Sequence, residues 1–307
     1  MKRPWLFLII LIVILALISF FIAGIASLFI NSDIEVSGSG NVALIPIKGE
    51  LVTDEDFSFF GTDETTSTDI IKLIEKADAN PSIKAIIFEI NSPGGSAVAS
   101  EEVSNVIKKV QKPKVAWIRE AGASGAYWIA SSADYIVASR MSITGSIGVI
   151  ASYLEFSGLI QRYNITYEKL VSGKFKDAGT PFRELTPEER QKFQQKLDLI
   201  HQEFINRVVA NRKLSKDSIR KITTGEFFLG SEALELGLID ELGSKDESLR
   251  YIENTLNISA SIVEYKKHKS FFEALSQTIN QKSFYLGKGI GSSLLERSDI
   301  QSVSIRT

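Results

Sequence analysis

The chain has 307 residues, 44% hydrophobic and 23% charged, a balance that excludes a disordered polymer and allows one large domain or two small ones. A formal net charge of −2 argues against a nucleic-acid partner. There is no cysteine, which excludes disulfides, thiol catalysis and cysteine-held metals, and two histidines, His201 and His268, are too few for a histidine-built metal site.

After Lys2 and Arg3, the run PWLFLIILIVILALISFFIAGIASLFI carries no charge before Asp33. A bilayer core takes roughly 20 apolar residues, and this run exceeds that. A cleavable signal peptide has an apolar region of only ~7–15 residues, so a retained transmembrane anchor over residues 1–30 is expected, despite the small residues of AGIAS. Basic residues before the run and Asp33 and Glu35 after it predict a cytoplasmic N-terminus, with the rest of the chain on the outer face of the cell membrane. Residues 31–41 (NSDIEVSGSGN) read as a polar linker.

VALIPIKGEL then reads as a first strand, and the acidic stretch 52–66 as an exposed loop. TTSTDIIKLIEKADAN has a hydroxyl start and helical apolar spacing. IKAIIFEI is a buried strand ending in the turn NSPGG, followed by a helix over 96–111, the strand KVAWIRE and a helix over 124–133. DYIVAS, IGVIAS and ITYEKLVSGKFK are expected to be further strands, with a helix near 154–163. This alternation predicts an α/β domain of repeated β-α-β units over residues 42–257. From Thr186 one long helix is predicted: Thr186 caps it, Pro187 opens it, and Glu188 and Glu189 suit its dipole. FFLGSEALELGLIDELGS suggests a short helix and turn, and 245–257 a further helix. Residues 258–307 form a C-terminal extension with no readable role.

The chemistry-bearing candidates begin with Ser124, in Gly122-Ala123-Ser124-Gly125-Ala126. A serine needs a base to take its proton and fixed donors for the developing oxyanion. Taken alone, Ser124 reads better as a helix N-cap than as a nucleophile. NSPGG reads equally as a tight strand-to-helix turn and as an oxyanion hole lined by the Gly94 and Gly95 amides. His201 lies within the long helix and His268 in the tail, so a lysine is the next candidate base. Moving a lysine from ~10.4 to ~7 costs roughly 4.6 kcal/mol, which requires an apolar pocket. Lys174 and Lys176 project to one face if their segment is extended, with Asp177 on the other. The residues by themselves do not choose between the two lysines.

NSPGG, ASGAYWIASSAD, TGSIGV and VSGKFKDAGTPFRELTPEER, occurring in this order, together resemble the signal peptide peptidase A (SppA) family in its short single-domain form, from about residue 42 to about 257. The resemblance implies a ClpP/crotonase-like α/β fold behind one N-terminal transmembrane helix, and a membrane-anchored Ser-Lys endopeptidase. It implies Ser124 as nucleophile, Lys176 in S-G-x-x-K-D as general base, Ser146 in T-G-S-x-G-V as the lysine-orienting hydroxyl, and Gly94 or Gly95 in the oxyanion hole. It further implies a homo-oligomer acting on signal-peptide remnants and unfolded polypeptides, with membrane lipid around the anchor and no metal or organic cofactor. Two other classes remain to be weighed: a crotonase-type acyl-CoA enzyme, which uses similar strand-end amides, and a catalytically silent membrane scaffold.

Overall fold

A computed structural model describes residues 4–29, 34–54 and 64–267, with side chains on the first helix described at 5 and 11–22. The chain divides into two compact units, one of residues 1–38, 56–63 and 264–307 and one of residues 39–55 and 64–263. In the first unit, helix α1 (Pro4–Phe29) and strand β1 (Ile34–Ser37) come first in the chain. The linker reading of 31–41 thus gives way to a strand at 34–37. Among the described residues no helix is long and apolar enough to cross a membrane, so the expected anchor over residues 1–30 is not supported there.

The second unit holds β2 (Val42–Val52), β3 (Glu64–Thr66), α2 (Ser67–Ala79), β4 (Ala85–Gly95), α3 (Ala97–Lys109), β5 (Lys114–Ala123), α4 (Gly125–Ser131), β6 (Tyr135–Ala138) and β7 (Ile143–Gly145). There follow α5 (Ser157–Arg162), α6 (Pro187–Asn211), α7 (Lys216–Ile222), β8 (Phe227–Leu229), α8 (Gly230–Glu235), β9 (Glu241–Leu242) and α9 (Lys245–Leu256). Strand β10 (Ile262–Lys267) starts in this unit, and its residues 264–267 pair antiparallel with β1. His268 and the tail after it lie outside the described residues, as does most of the acidic loop.

The sheet of the second unit runs β2-β4-β5-β6-β9 with every pair parallel. It is buried on both faces, which is why its strands read as nearly unbroken apolar runs. Val42, Leu44, Ala85, Ile87, Val115 and Val137 share one face with Ile252 of α9. The alternate residues of β2 and β4, among them Ile45, Ile86, Phe88 and Ile90, are buried too. Helices α2, α3 and α4 pack on one another and against β2, β4 and β5.

Two expected strands are absent. IGVIAS is irregular, because the end of β5 takes β7 as its neighbour and Gly145 (φ 75°) and Ser146 (φ 49°) then turn the chain away. ITYEKLVSGKFK finds no partner strand, and it forms turns and irregular backbone with Leu170 99% exposed. NSPGG, expected as a turn, continues β4 to Gly95, with register shifts against both neighbouring strands.

Candidate active site

Parallel strands carry their C-terminal ends to one edge, and three of the motifs meet there. Register pairs Ser92 of β4 with Gly122 of β5, and Ala123 of β5 with Gly145 of β7. The next residues, Ser124 and Ser146, therefore leave neighbouring strands side by side, and both have left-handed backbone, φ 52° and 49°. The Ser124 amide donates to Gly145 O at 2.8 Å, and the Ser146 amide to Glu226 O at 2.9 Å. A non-glycine residue in this region costs on the order of 1–3 kcal/mol, so both conformations need such ties.

Ser124 does stand at the N-cap position of α4, its carbonyl accepting from the Tyr127 and Trp128 amides, but its hydroxyl makes no capping hydrogen bond and is left for other use. Ser124 is half-buried at the strand end, with its Cβ against Gly94 of β4. A methyl group on Gly94 would lie 2.8 Å from Ala123 O, Gly125 N and Ser124 Cβ, so only glycine lets β4 cross here (φ 102°). The two glycine amides differ. Gly94 N–H donates to the buried Ser92 Oγ at 3.1 Å, whereas Gly95 is exposed. Leu51 stands opposite Gly95 while Ser96 N–H donates to Leu51 O; in a parallel ladder that alternation turns the Gly95 N–H away from β2. The Gly95 nitrogen lies 3.5 Å from the point where a Gly125 Cβ would project, beside the Ser124 turn. Of the two glycines, Gly95 is the one with a donor to offer.

Helix α4, which begins at this turn, is held from three directions. Tyr127 Oη donates to Leu238 O at 2.7 Å in full burial, which drives the phenol pKa up. Trp128 stacks on Phe204 of α6 at 5.0 Å, and Asn211 Nδ2 donates to Ser131 Oγ at 3.0 Å. Position at Ser124 is thereby tied to the core.

The two lysines lie on the irregular stretch between α5 and α6. Residues 172–179 form successive turns, with Lys176 N–H donating to Gly173 O, so the extended alternation expected for Lys174, Lys176 and Asp177 does not exist. Lys174 forms an ion pair with Glu188 at 2.6 Å. The Lys176 side chain is exposed, and among the described residues it makes no hydrogen bond or ion pair with Ser124 or Ser146. His201 Nε2 lies 2.9 Å from Ile147 O, a structural contact.

Asp177, next to Lys176, accepts from Lys169 Nζ at 2.8 Å and from Arg183 Nε at 3.1 Å. Arg183 continues to both carboxylate oxygens of Glu189 at 2.6 and 2.8 Å, and Glu189 completes the capping box of α6 with Thr186. Hydrogen bonds from Arg183 and then Lys169 hold Asp177 down to about 2; those from Arg183 and the Thr186 amide hold Glu189 down to about 2.

The sequence matches Peptidase family S49 over residues 107–259 and Clp protease over residues 51–157. A protein of Methanocaldococcus jannaschii named as a protease is 32% identical over 96% of this chain and 95% of its own. The chain belongs to peptidase family S49. It is a serine peptidase with a ClpP-like α/β fold and a mixed sheet, in which the β7–β8 pair is antiparallel. An S49 relative in Enterococcus faecium, named as signal peptide peptidase SppA, is 26% identical over 78% of this chain and 70% of its own. Among solved structures, the membrane-bound stomatin-specific protease 1510-N with a substrate peptide covers 78% of this chain and 97% of its own, at 15% identity and TM-score 0.48. Family S49 membership disfavours the acyl-CoA and scaffold readings.

Sequence reasoning missed the hydrogen bonds that tie the candidate residues to their neighbours. Ser92 is visible only as part of NSPGG, and its bond to Gly94 depends on the path of β4. Arg183 and Glu189 share one motif, yet their joint hold on Asp177 is tertiary. Neither the spacing of Ser92 and Gly94 nor that of Asp177 and Arg183 offers a local sign of these bonds.

Proposed function

We propose that this chain is a membrane-anchored endopeptidase in which Ser124 attacks the scissile carbonyl and Lys176 is the general base. The observation that carries the reading is Ser124 itself: a left-handed serine at a parallel strand end, its hydroxyl unused as a cap and its amide tied to Gly145 O. Neutral Lys176 takes the hydroxyl proton, and the alkoxide oxygen bonds to the carbonyl carbon. The Gly95 amide, with Gly94 shaping the approach, donates to the resulting oxyanion. Protonated Lys176 then gives its proton to the leaving amine, and water resolves the acyl-enzyme by the same transfers. Ser146 would orient the Lys176 amine through its hydroxyl. No cofactor enters these steps.

A lysine serves as base only where burial or neighbouring cations lower its pKa. Lys176 is exposed on a segment whose apolar side chains, such as Ile150 at 90% and Leu170 at 99%, are also exposed. A second copy covering this segment would bury both, so Lys176 of one protomer is assigned to Ser124 of another. The uncharged run 4–30, with basic residues before it and acidic ones after, supports a single-pass anchor with the catalytic domain outside the cytoplasm. The name of the Enterococcus relative supports signal peptides as substrates, and unfolded polypeptide is proposed beside them.

The test uses the full-length chain in detergent and an unfolded protein substrate. Ser124→Ala and Lys176→Ala should each lose at least about 10³-fold in kcat, and Lys174→Ala should keep most activity. Mixing the two inactive variants should restore a measurable fraction, because one kind of site in the mixture then carries both residues. Full activity in Ser124→Ala would refute the nucleophile, and a mixture that stays inactive would refute sharing between protomers.

A further inference from the structure

Resting on Lys176 as the base, we infer that Arg183 is a positioning residue that fixes the Lys176 turn through Asp177. Lys176 sits in a run of turns, not in a helix or strand, so no sheet or helical ladder holds its backbone. What holds it is its neighbour. The Asp177 carboxylate, 8% exposed, is gripped by Arg183 Nε at 3.1 Å, and an Arg183 terminal nitrogen also reaches Asp177 O at 3.4 Å. The far side of the same guanidinium forks onto Glu189, 5% exposed, at 2.6 and 2.8 Å.

Glu189 is in turn locked to the start of α6, accepting from the Thr186 amide at 2.9 Å and from its hydroxyl at 3.0 Å. A chain of contacts thus runs from a 25-residue helix to the residue beside the base. Only arginine can serve as its middle link, because its planar fork addresses two carboxylates on two edges at once. Lys169 holds the other side of Asp177 but belongs to the same irregular segment, so it supplies charge and no connection to a rigid element. Loss of the link frees the turn by an ångström or more, a displacement that costs a reaction of this kind on the order of 10²-fold.

The experiment compares Arg183→Gln, Arg183→Lys, Asp177→Asn and Lys176→Ala in the full-length protein, reading kcat and KM separately beside the melting temperature. Arg183→Gln should lower kcat by at least about 30-fold while KM stays within about threefold. Arg183→Lys, which keeps the charge and loses the fork, should recover part of that loss. A kcat within about threefold of the parent for Arg183→Gln, with Lys176→Ala inactive, would overturn the positioning role and leave the base assignment standing. An active Lys176→Ala would overturn both. If Arg183→Gln melts more than about 5 °C below the parent, Asp177→Asn decides by the same thresholds, since it leaves the capping box of α6 intact.

Discussion

Ser124 is held in a conformation that few serines adopt, and the reason lies in the residues around it. Its amide is drawn to Gly145 O, and Gly94 fits against its Cβ only because Gly94 has no side chain. Gly94→Ala would place a methyl 2.8 Å from Ala123 O, Gly125 N and Ser124 Cβ, at a φ of 102° that alanine resists. Strain of that kind is on the order of 1–3 kcal/mol, and relief requires moving the serine or the Gly95 amide. The expected outcome is a melting temperature lower by at least about 2 °C and a kcat lower by about 10²-fold or more. Gly158→Ala is the matched control, with open space around its would-be Cβ, and should be neutral in both measurements.

At the scale of elements, the features that depend on neighbouring residues are the legible ones. Helix α6 begins where Thr186, Pro187 and Glu189 say it should, because capping is a matter of four consecutive residues. Strand β7, three residues long, exists through pairing with β5 and β8, and nothing in Ile143–Gly145 announces that. The same division runs through the site. Two serines beside glycines can be found in the sequence, but their adjacency comes from a register joining residues 22 positions apart, Ala123 and Gly145. The strand expected over 165–176 fails for the same reason, since a strand also needs an edge to join. The lysine-bearing segment instead depends on ionised carboxylates, which gives it a pH limit. Asp177 and Glu189 are held down to about 2, below the ~4 of unfolded carboxyls. Their contribution is therefore fully present above about pH 4.5 and is lost as pH falls through about 2. Hydrogen exchange of the amides of residues 174–189 should keep its protection down to about pH 4 and lose it between about 4 and 2. Protection unchanged at about pH 2 would mean that the ion pairs do not order the segment.

At the scale of the whole molecule, several large apolar side chains of the second unit stand exposed, and the proposed sharing of Lys176 between protomers would cover them. Beyond Ile150 and Leu170, Leu154 is 74% exposed and Leu199 on α6 is 64% exposed. Burying a leucine side chain contributes roughly 1.5–3 kcal/mol, so covering several of them would stabilise an assembly without any change within the sheet. Because Ile150, Leu154 and Leu170 lie on the same β7–α6 connection as Lys176, assembly and base supply are expected to fail together. Leu154→Glu combined with Leu170→Glu places two charges at exposed apolar positions and touches neither the core nor the Ser124 turn. The variant should keep the far-UV spectrum of the parent, sediment as a smaller species in detergent-corrected ultracentrifugation, and lose at least about 10-fold in activity. Its residual activity should rise steeply with protein concentration, as reassembly by mass action requires. A variant that sediments as a single chain and retains the parent's activity would show that Ser124 finds its base within one protomer.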